Sequence, residues 1–160
     1  MLNTINVGIS DLNVSRPPGI LATYALGSCV GICLLDKTNS IGGLAHIMLP
    51  SSKEASNAAA NLRRYADTGI AELIQMMVRQ GAKIPNMTAK IAGGAQMFQT
   101  QLQSFNIGER NVSAVKQVLA HYRIKILAED TGLNYGRTVF FNVETGVMQI
   151  KSVCKGTIEL

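Results

Sequence analysis

The segment that most constrains this fold is apolar and glycine-rich; it runs from Thr23 to Pro50 and reads TYALGSCVGICLLDKTNSIGGLAHIMLP. It contains two of the three cysteines and one of the two histidines of the chain. Two apolar runs flank the turn-forming residues 36–40, and this pattern predicts a β-hairpin. Cys29 lies 17 residues before His46. The hairpin can therefore bring a thiol and an imidazole together, which is the minimum requirement for a thiolate nucleophile.

The register of this hairpin decides whether the thiol and the imidazole meet. A four-residue loop over 36–39 places Leu35 opposite Ser40, and Cys29 then lies directly opposite His46 with Cβ atoms about 5 Å apart. A slip of one residue sends the two side chains to opposite faces. Two structural alternatives stay open at this point, because a free cysteine is often a small buried hydrophobe and a histidine in an apolar strand is often a core residue.

Length and composition limit the possible classes of protein. We expect the 160 residues to form a single domain, and an apolar fraction of 47% predicts a well-packed core. The longest apolar run, 25–35, is broken by glycines and is too short for a membrane helix, and the N-terminus has no signal-peptide pattern. We therefore expect a cytoplasmic protein without direct membrane insertion. The net charge of +5 is spread over scattered residues, and with 5% aromatics and no Trp the sequence does not predict nucleic-acid binding.

The cysteine pattern predicts reduced thiols and no metal site. If Cys29 and Cys33 share a strand, their Cα atoms lie about 13 Å apart, which is too far for a disulfide. No spacing offers three or four Cys or His ligands together. Gly93-Gly94 lacks the context of a dinucleotide-binding loop and there is no phosphate-binding loop, so we expect no cofactor. Cys33 and Cys154 are interpreted as packing residues, and His121 as a solvated residue near a helix end.

The rest of the chain predicts more strands than helices. A helix with Asp67 or Thr68 as its cap and Gly81 as its stop follows from apolar residues between 70 and 78. Asn111 is the predicted cap of a second helix, and residues 96–107 are ambiguous. The predicted strands cover residues 4–9, 19–26, 29–35, 41–49, 89–92, 124–129, 138–143 and 147–153. This order predicts an α/β or α+β single domain.

An ordered set of motifs resembles the CheD family, the chemoreceptor glutamine deamidases of bacterial and archaeal chemotaxis. The motifs are LGSC at 26–29, GGLAHIMLP at 42–50, YADTGI at 65–70, KIAGGAQMF at 90–98, NIGERN at 106–111 and AEDTG at 128–132. The resemblance covers residues 6–153, which would form the core of a single CheD-like domain. One departure is Leu133, which stands where the family usually has a second glycine. The resemblance implies an α/β layered sandwich of mixed strands with outer helices, similar to the catalytic domain of the cytotoxic necrotizing factor toxins.

The resemblance also implies a site and a reaction. Cys29 is the expected nucleophile, His46 the general base and Thr23 the residue that orients the imidazole, while Gly27 and Ser28 are candidates for oxyanion or substrate binding. A thiolate of Cys29, kept ionised by His46, would attack a receptor glutamine and release ammonia through a thioester, and accessory methylesterase activity is implied. The implied partners are methyl-accepting chemotaxis receptors and a CheC-type phosphatase. The alternative is a non-catalytic adaptor that binds the phosphatase or a receptor.

Overall fold

A computed structural model of the chain describes residues 3–97 and 106–160. Within these residues there are two α-helices, α1 (Ala66–Arg79) and α2 (Ile107–His121), and three short 3-10 turns lie between residues 52 and 64. Neither helix is long and apolar enough to cross a membrane. The described residues also form ten strands: β1 (Asn3–Asn6), β2 (Asp11–Ser15), β3 (Gly19–Leu26), β4 (Val30–Asp36), β5 (Ile41–Ile47), β6 (Met87–Gly93), β7 (Lys125–Thr131), β8 (Arg137–Asn142), β9 (Met148–Ser152) and β10 (Gly156–Glu159).

The strands form two five-stranded sheets. The first sheet has the order β1-β3-β8-β9-β10, and its only parallel pair is β1 with β3. The second sheet has the order β2-β5-β4-β6-β7, and its only parallel pair is β6 with β7. The predicted mixture of strand directions is confirmed for the part of the chain that the structure describes.

Two apolar clusters hold three layers together. One cluster lies between the sheets and joins Leu21, Val139 and Phe141 of the first sheet to Cys33 and Leu44 of the second. The other cluster packs the opposite face of the second sheet against both helices and includes Val30, Ile32, Ile70, Leu73, Val115 and Leu119. The layers therefore run in the order sheet, sheet, helices. The predicted α/β layered sandwich with outer helices is confirmed.

The position of β4 and β5 in the middle layer explains the long apolar segment from which the fold was predicted. Every residue of both strands is buried. A strand buried on both faces reads as a continuous apolar run because it has no solvent-facing side. In β4, Val30 and Ile32 face the helices, whereas Cys33 and Leu35 face the first sheet.

The predicted hairpin register is wrong by two positions. Asp36 pairs with Ile41, so the four-residue loop covers 37–40 and Gly31, not Cys29, lies opposite His46. Asp36 is the cause, because its buried carboxylate accepts hydrogen bonds from the N–H of Asn39 at 3.0 Å and the N–H of Lys83 at 2.8 Å. These bonds keep Asp36 in the strand. A shift of two residues preserves the face of each side chain, so the alternation that the site requires survives.

Other local predictions also need correction. The loop expected after the first strand contains β2, which pairs with β5, and β10 at the C-terminal end was not predicted.

Helix α1 begins before its predicted caps, with Tyr65 as the capping residue. Helix α2 is capped by Asn106, whose side chain accepts from the N–H of Glu109, so Asn111 lies inside the helix. Of the ambiguous segment 96–107, residues 98–105 lie outside the described residues.

Candidate active site

Thr23 and His46 join the two sheets through a buried hydrogen bond. Thr23 Oγ1 of β3 lies 2.7 Å from Nδ1 of His46 on β5, and neither side chain is exposed to solvent. The Thr23 hydroxyl donates its proton to the carbonyl oxygen of Val7 at 2.7 Å. Because the hydroxyl proton is already donated to Val7, Thr23 Oγ1 can only accept a hydrogen bond from the imidazole. Nδ1 of His46 therefore carries the hydrogen. His46 is therefore the tautomer whose Nε2 bears a free lone pair.

Nε2 of His46 is buried and has no hydrogen-bond partner among the described residues. A buried polar atom without a partner is uncommon in folded proteins and calls for an explanation. The lone pair of an unprotonated Nε2 can accept a proton from a thiol. Nε2 of His46 is therefore available as a base, because no hydrogen bond of the described residues occupies its lone pair.

Cys29 reaches the layer that contains this base. It is the residue before β4 and packs, partly buried, against the cluster between the two sheets. Gly31 lies opposite His46, and Cys29 is two residues earlier, so the alternation of the strand places it on the same face at the diagonal position. Diagonal neighbours in an antiparallel pair are about 7–8 Å apart, within reach of longer side chains. Gly31 itself places no side chain between them.

Burial shifts the pKa values of Cys29 and His46 so that the neutral form of each group is favoured. Burial raises the pKa of the Cys29 thiol above its ordinary value, and the main-chain N–H of Cys29 offsets part of the rise. Burial lowers the pKa of His46 from 6.5 to about 4. Desolvation therefore penalises both charges in the free protein, and the thiolate that His46 is expected to keep ionised stays a prediction.

The segment before β4 is held by three successive carbonyl groups. The oxygen of Gly27 accepts from the N–H of Ala95 at 2.8 Å, and the oxygen of Cys29 accepts from the N–H of Gly94 at 2.8 Å. Between them, the oxygen of Ser28 accepts from Nδ2 of Asn111 at 2.9 Å. The close approach at Gly94 also depends on Gly93, which has φ +112° and where a Cβ would collide with the Cys29 carbonyl.

These bonds orient the N–H groups expected to act as oxyanion donors. The peptide bonds of residues 27–30 are trans, and in a trans peptide the N–H points away from the C=O of the same unit. Holding the Gly27 carbonyl therefore directs the Ser28 N–H to the opposite side, and holding the Ser28 carbonyl does the same for the Cys29 N–H. Two main-chain N–H groups near a nucleophile are the usual elements of an oxyanion hole. Gly27 takes part in this arrangement through its carbonyl, which accepts from Ala95, and its role in oxyanion or substrate binding stays a prediction.

Sequence reasoning missed Asn111 and Arg137. Asn111 is fully buried, and a weak signal existed, because it shares the spacing i, i+4, i+8 with the buried Val115 and Leu119. Arg137 is almost fully buried; its Nε donates to Asp130 at 2.9 Å and its Nη1 to the carbonyl of Gly132 at 3.1 Å. No local pattern pointed to this ion pair, which fixes the segment of the AEDTG motif next to β6.

The remaining candidate residues lie apart from this site. Cys33 is buried in the cluster between the sheets, as predicted, whereas Cys154 is exposed in the turn before β10, so its interpretation as a packing residue is wrong. His121 is exposed at the end of α2, as expected.

Two grooves of about 640 and 690 Å³ are lined largely by α2, and neither is lined by Cys29, Thr23 or His46. Among the described residues, no three His, Cys, Asp or Glu side chains are grouped to hold a metal ion.

Solved structures share the architecture. A Neisseria meningitidis protein of the DUF152 family matches 82% of this chain with a TM-score of 0.54 and 11% identity, and the Bacillus licheniformis hypothetical protein YfiH matches 78% with a TM-score of 0.51 and 18% identity. The chain spans only 64% and 51% of the lengths of these two structures. At such identities the likeness concerns the fold alone. Fold and site together define a layered α/β protein in which a cysteine shares a sheet face with a threonine-bound histidine between two sheets.

Comparison with known sequences is more specific. The model of the family described as CheD chemotactic sensory transduction matches residues 48–152. A probable chemoreceptor glutamine deamidase CheD of Syntrophomonas wolfei is 49% identical over 98% of both chains. The chemoreceptor glutamine deamidases CheD of Thermotoga maritima and Halalkalibacterium halodurans are 43% and 44% identical, over 94% and 100% of this chain and 92% and 100% of their own. This chain belongs to the CheD family, as the motifs predicted.

Proposed function

We propose that this protein hydrolyses glutamine side chains of chemoreceptors to glutamate, with Cys29 as nucleophile and His46 as base. The observation that carries the proposal is the unpartnered Nε2 of a His46 tautomer fixed by Thr23, in the layer that Cys29 reaches. The names of the curated relatives supply the reaction and the substrate class. The matched family model begins at residue 48, so the roles of these three residues rest on the geometry and on the motif resemblance.

The first half of the proposed reaction forms a thioester. As the Cys29 sulfur attacks the carboxamide carbon, its proton passes to His46 Nε2, and the carbonyl electrons move to the oxygen. The N–H groups of Ser28 and Cys29 donate to that oxyanion. When the intermediate collapses, the carbon–nitrogen bond breaks, the nitrogen takes the proton from Nε2, and ammonia leaves. The carbon–sulfur bond of the thioester remains.

The second half consumes one water. His46 Nε2 takes a proton from the water, the hydroxide oxygen attacks the thioester carbon, and the carbon–sulfur bond breaks as the sulfur recovers the proton. The net change is glutamine plus water to glutamate plus ammonia, without an oxidant or a reductant. A methyl ester would follow the same path with methanol as leaving group, which is the basis for proposing accessory methylesterase activity.

The pKa shifts of Cys29 and His46 fit this order of events. A thiol with a raised pKa gains little from ionising alone, and a histidine whose pKa is about 4 holds a proton only while a developing negative charge is nearby. Proton transfer is therefore coupled to attack, as in general-base catalysis. Thr23 acts on the imidazole and not on the substrate, so it is a positioning residue.

The substrate is proposed to be a glutamine on the helical cytoplasmic region of a receptor, which makes the cytoplasm the compartment of the reaction. A substrate on a folded helix needs a site that approaches the protein surface, and Cys29 is partly exposed while Thr23 and His46 are not. A CheC-type phosphatase is proposed as a second partner, because the motif resemblance implies it.

Mass spectrometry of a purified receptor fragment tests the proposal. Wild-type protein should convert specific glutamines to glutamates with release of ammonia, and folded Cys29→Ala and His46→Ala should not. The matched controls are Cys33→Ala and Cys154→Ala, which remove the other two thiols and should remain active. Added hydroxylamine should divert the product to a glutamyl hydroxamate, because it captures a thioester.

Two results would overturn the proposal. Conversion that survives Cys29→Ala rules out the nucleophile. Normal receptor binding without conversion of any glutamine favours the non-catalytic adaptor, and binding to a CheC-type phosphatase would then be the activity to measure.

A further inference from the structure

Asn111 connects the two segments that carry the proposed nucleophile and base. Its Nδ2 donates to the carbonyl oxygen of Ser28 at 2.9 Å and to the carbonyl oxygen of Met48 at 2.8 Å. Ser28 precedes Cys29, and Met48 lies two residues after His46. One side-chain nitrogen on α2 thus holds the main chain at both sides of the site, across 83 and 63 residues of sequence.

Only a carboxamide fits this position among side chains of its size. Two carbonyl oxygens need two hydrogens from one neutral group, and the amide nitrogen supplies both. The same two acceptors fix the orientation of the amide, since the opposite orientation would set Oδ1 against two oxygens. Oδ1 is buried and has no partner among the described residues, and the side chain itself is fully buried.

A polar residue here is costly for folding alone. Position 111 shares the buried face of α2 with Val115 and Leu119, where an apolar side chain would pack without a polar requirement. Asn111 makes two hydrogen bonds through Nδ2, but its Oδ1 remains unpaired among the described residues. This arrangement indicates that the position of the Ser28 and Met48 carbonyls matters more than the packing of the helix.

The Ser28 carbonyl belongs to the peptide unit whose N–H is that of Cys29. The carbonyls on either side, of Gly27 and Cys29, are held by main-chain N–H groups of residues 95 and 94. The middle unit is held by the side chain of Asn111 instead. The direction of the Cys29 N–H, the donor adjacent to the attacking sulfur, therefore depends on this one side chain.

We infer that Asn111 is a positioning residue for the deamidation reaction, which orients the Cys29 peptide and fixes the Cys29 segment relative to the strand of His46. The inference rests on the proposed function and extends it to a residue outside the Cys–His–Thr set. Displacing a catalytic group by about 1 Å can cost on the order of 10²-fold in rate. Loss of the Asn111 amide should therefore reduce kcat much more than it changes KM.

The test compares Asn111→Asp with Leu119→Ala. Asn111→Asp keeps the shape and retains at most the one O–H donor of a protonated carboxyl, and Asn111→Leu, of similar size, has neither a donor nor a charge and is measured beside it; if neither folds, Asn111→Ser, which keeps one donor, replaces them. Leu119 is fully buried eight residues along α2, about 12 Å away at 1.5 Å per residue, so its truncation destabilises the same helix without touching Ser28 or Met48. On a receptor fragment, we expect kcat to fall on the order of 10²-fold for Asn111→Asp and less than about threefold for Leu119→Ala.

A second measurement does not depend on deamidase activity. The rate of Cys29 alkylation by iodoacetamide is followed against pH in a Cys154→Ser background, which removes the other accessible thiol. The Cys29 N–H lowers the pKa of its own thiol, so Asn111→Leu, which adds no charge, should move the alkylation midpoint to higher pH, and Leu119→Ala should not. If the wild-type protein deamidates nothing while this shift is seen, the proposed function fails, and of the inference only the orientation of the Cys29 peptide by Asn111 stands.

Three outcomes overturn the inference. The first is a kcat of Asn111→Asp within about twofold of wild type. The second is an equal loss of kcat in Leu119→Ala, which would make the effect one of helix stability. The third is an alkylation profile of Asn111→Leu that coincides with that of the Cys154→Ser parent.

Discussion

The hydroxyl of Thr23 and the imidazole of His46 meet 2.7 Å apart across the interface of two β-sheets, and the hydroxyl proton is already donated to Val7. The imidazole hydrogen is thereby fixed on Nδ1 without a carboxylate. A neutral hydroxyl orients the ring but does not stabilise a positive charge on it as an aspartate would. Four predictions follow from this neutral, buried design and from the loop next to it.

Thr23→Val should impair the reaction through the orientation of His46. Valine has the shape of threonine without the hydroxyl, so Nδ1 loses its acceptor and the tautomer is no longer fixed. We expect kcat to fall on the order of 10²-fold, within the range that general acid–base catalysis contributes. The carbonyl of Val7 also loses its partner, at a cost of about 1–3 kcal/mol in the free energy of unfolding.

Ammonia release and chemical denaturation measure these two effects, and Thr23→Ser is the matched control. Serine keeps the hydroxyl, so it should retain most of the activity and stability. Equal kcat values for Thr23→Val and wild type would remove Thr23 from the site.

His46 should make the protein less stable as the solution becomes acidic. Burial lowers the pKa of His46 from 6.5 to about 4, so between these values an unfolded chain binds a proton that the folded protein does not. Above pH about 6.5 the protonation of His46 does not reduce the free energy of unfolding. As the pH falls towards 4, the free energy of unfolding decreases by on the order of 3 kcal/mol, since one pKa unit corresponds to about 1.4 kcal/mol.

Urea unfolding from pH 7 to pH 4 measures this dependence. His46→Asn should flatten the stability curve in that window. An unchanged slope in His46→Asn would contradict the prediction.

The thiol of Cys29 should be protonated in the free protein at neutral pH. Because burial raises its pKa, alkylation by iodoacetamide should be slow at pH 7 and should increase with a midpoint above the ordinary thiol range. Stopped-time mass spectrometry of the Cys154→Ser protein measures the rate. Fast alkylation with a midpoint below pH about 7 would instead indicate a preformed thiolate and imidazolium.

Leu133→Gly should stabilise the protein. Leu133 has φ +59° and its side chain is 63% exposed, so it adopts a left-handed conformation without gaining buried contacts. This conformation costs an L-residue about 1–2 kcal/mol, and glycine adopts it freely at some cost in unfolded-state entropy. We expect a net gain of about 1 kcal/mol.

Thermal unfolding measures the gain, and Leu133→Ala separates its causes. Alanine removes the exposed side chain but keeps Cβ, so it should show no comparable stabilisation. A similar gain in both variants would attribute the effect to the exposed side chain and not to the backbone.

The sequence predicted what depends on local patterns. Strand β3 was predicted with its observed bounds, Gly19–Leu26, because an apolar run ended at glycines on both sides. The buried face of α1 followed from residues at helical spacing, and the family followed from motifs in a fixed order. These features are encoded within a few neighbouring residues, where spacing and turn chemistry decide the conformation.

What could not be predicted depends on contacts between distant residues. The hairpin register is set by Asp36 through a bond to Lys83, 47 residues away. Asn111 reads as a helix cap in isolation, and only the Ser28 and Met48 carbonyls reveal why it lies inside α2. The shift of the Cys29 and His46 pKa values towards the neutral forms is a consequence of burial in the folded protein. That residues 1–160 form one domain, with a core over about 6–153, stays a prediction.

The location of the histidine–threonine bond between two sheets has a consequence for the nascent chain. An imidazole on one sheet acquires its fixed tautomer only when the other sheet docks against it. A partly folded chain would carry an accessible thiol without an oriented base. If Cys29 and His46 act as proposed, chemical competence therefore arises only when the two sheets have docked.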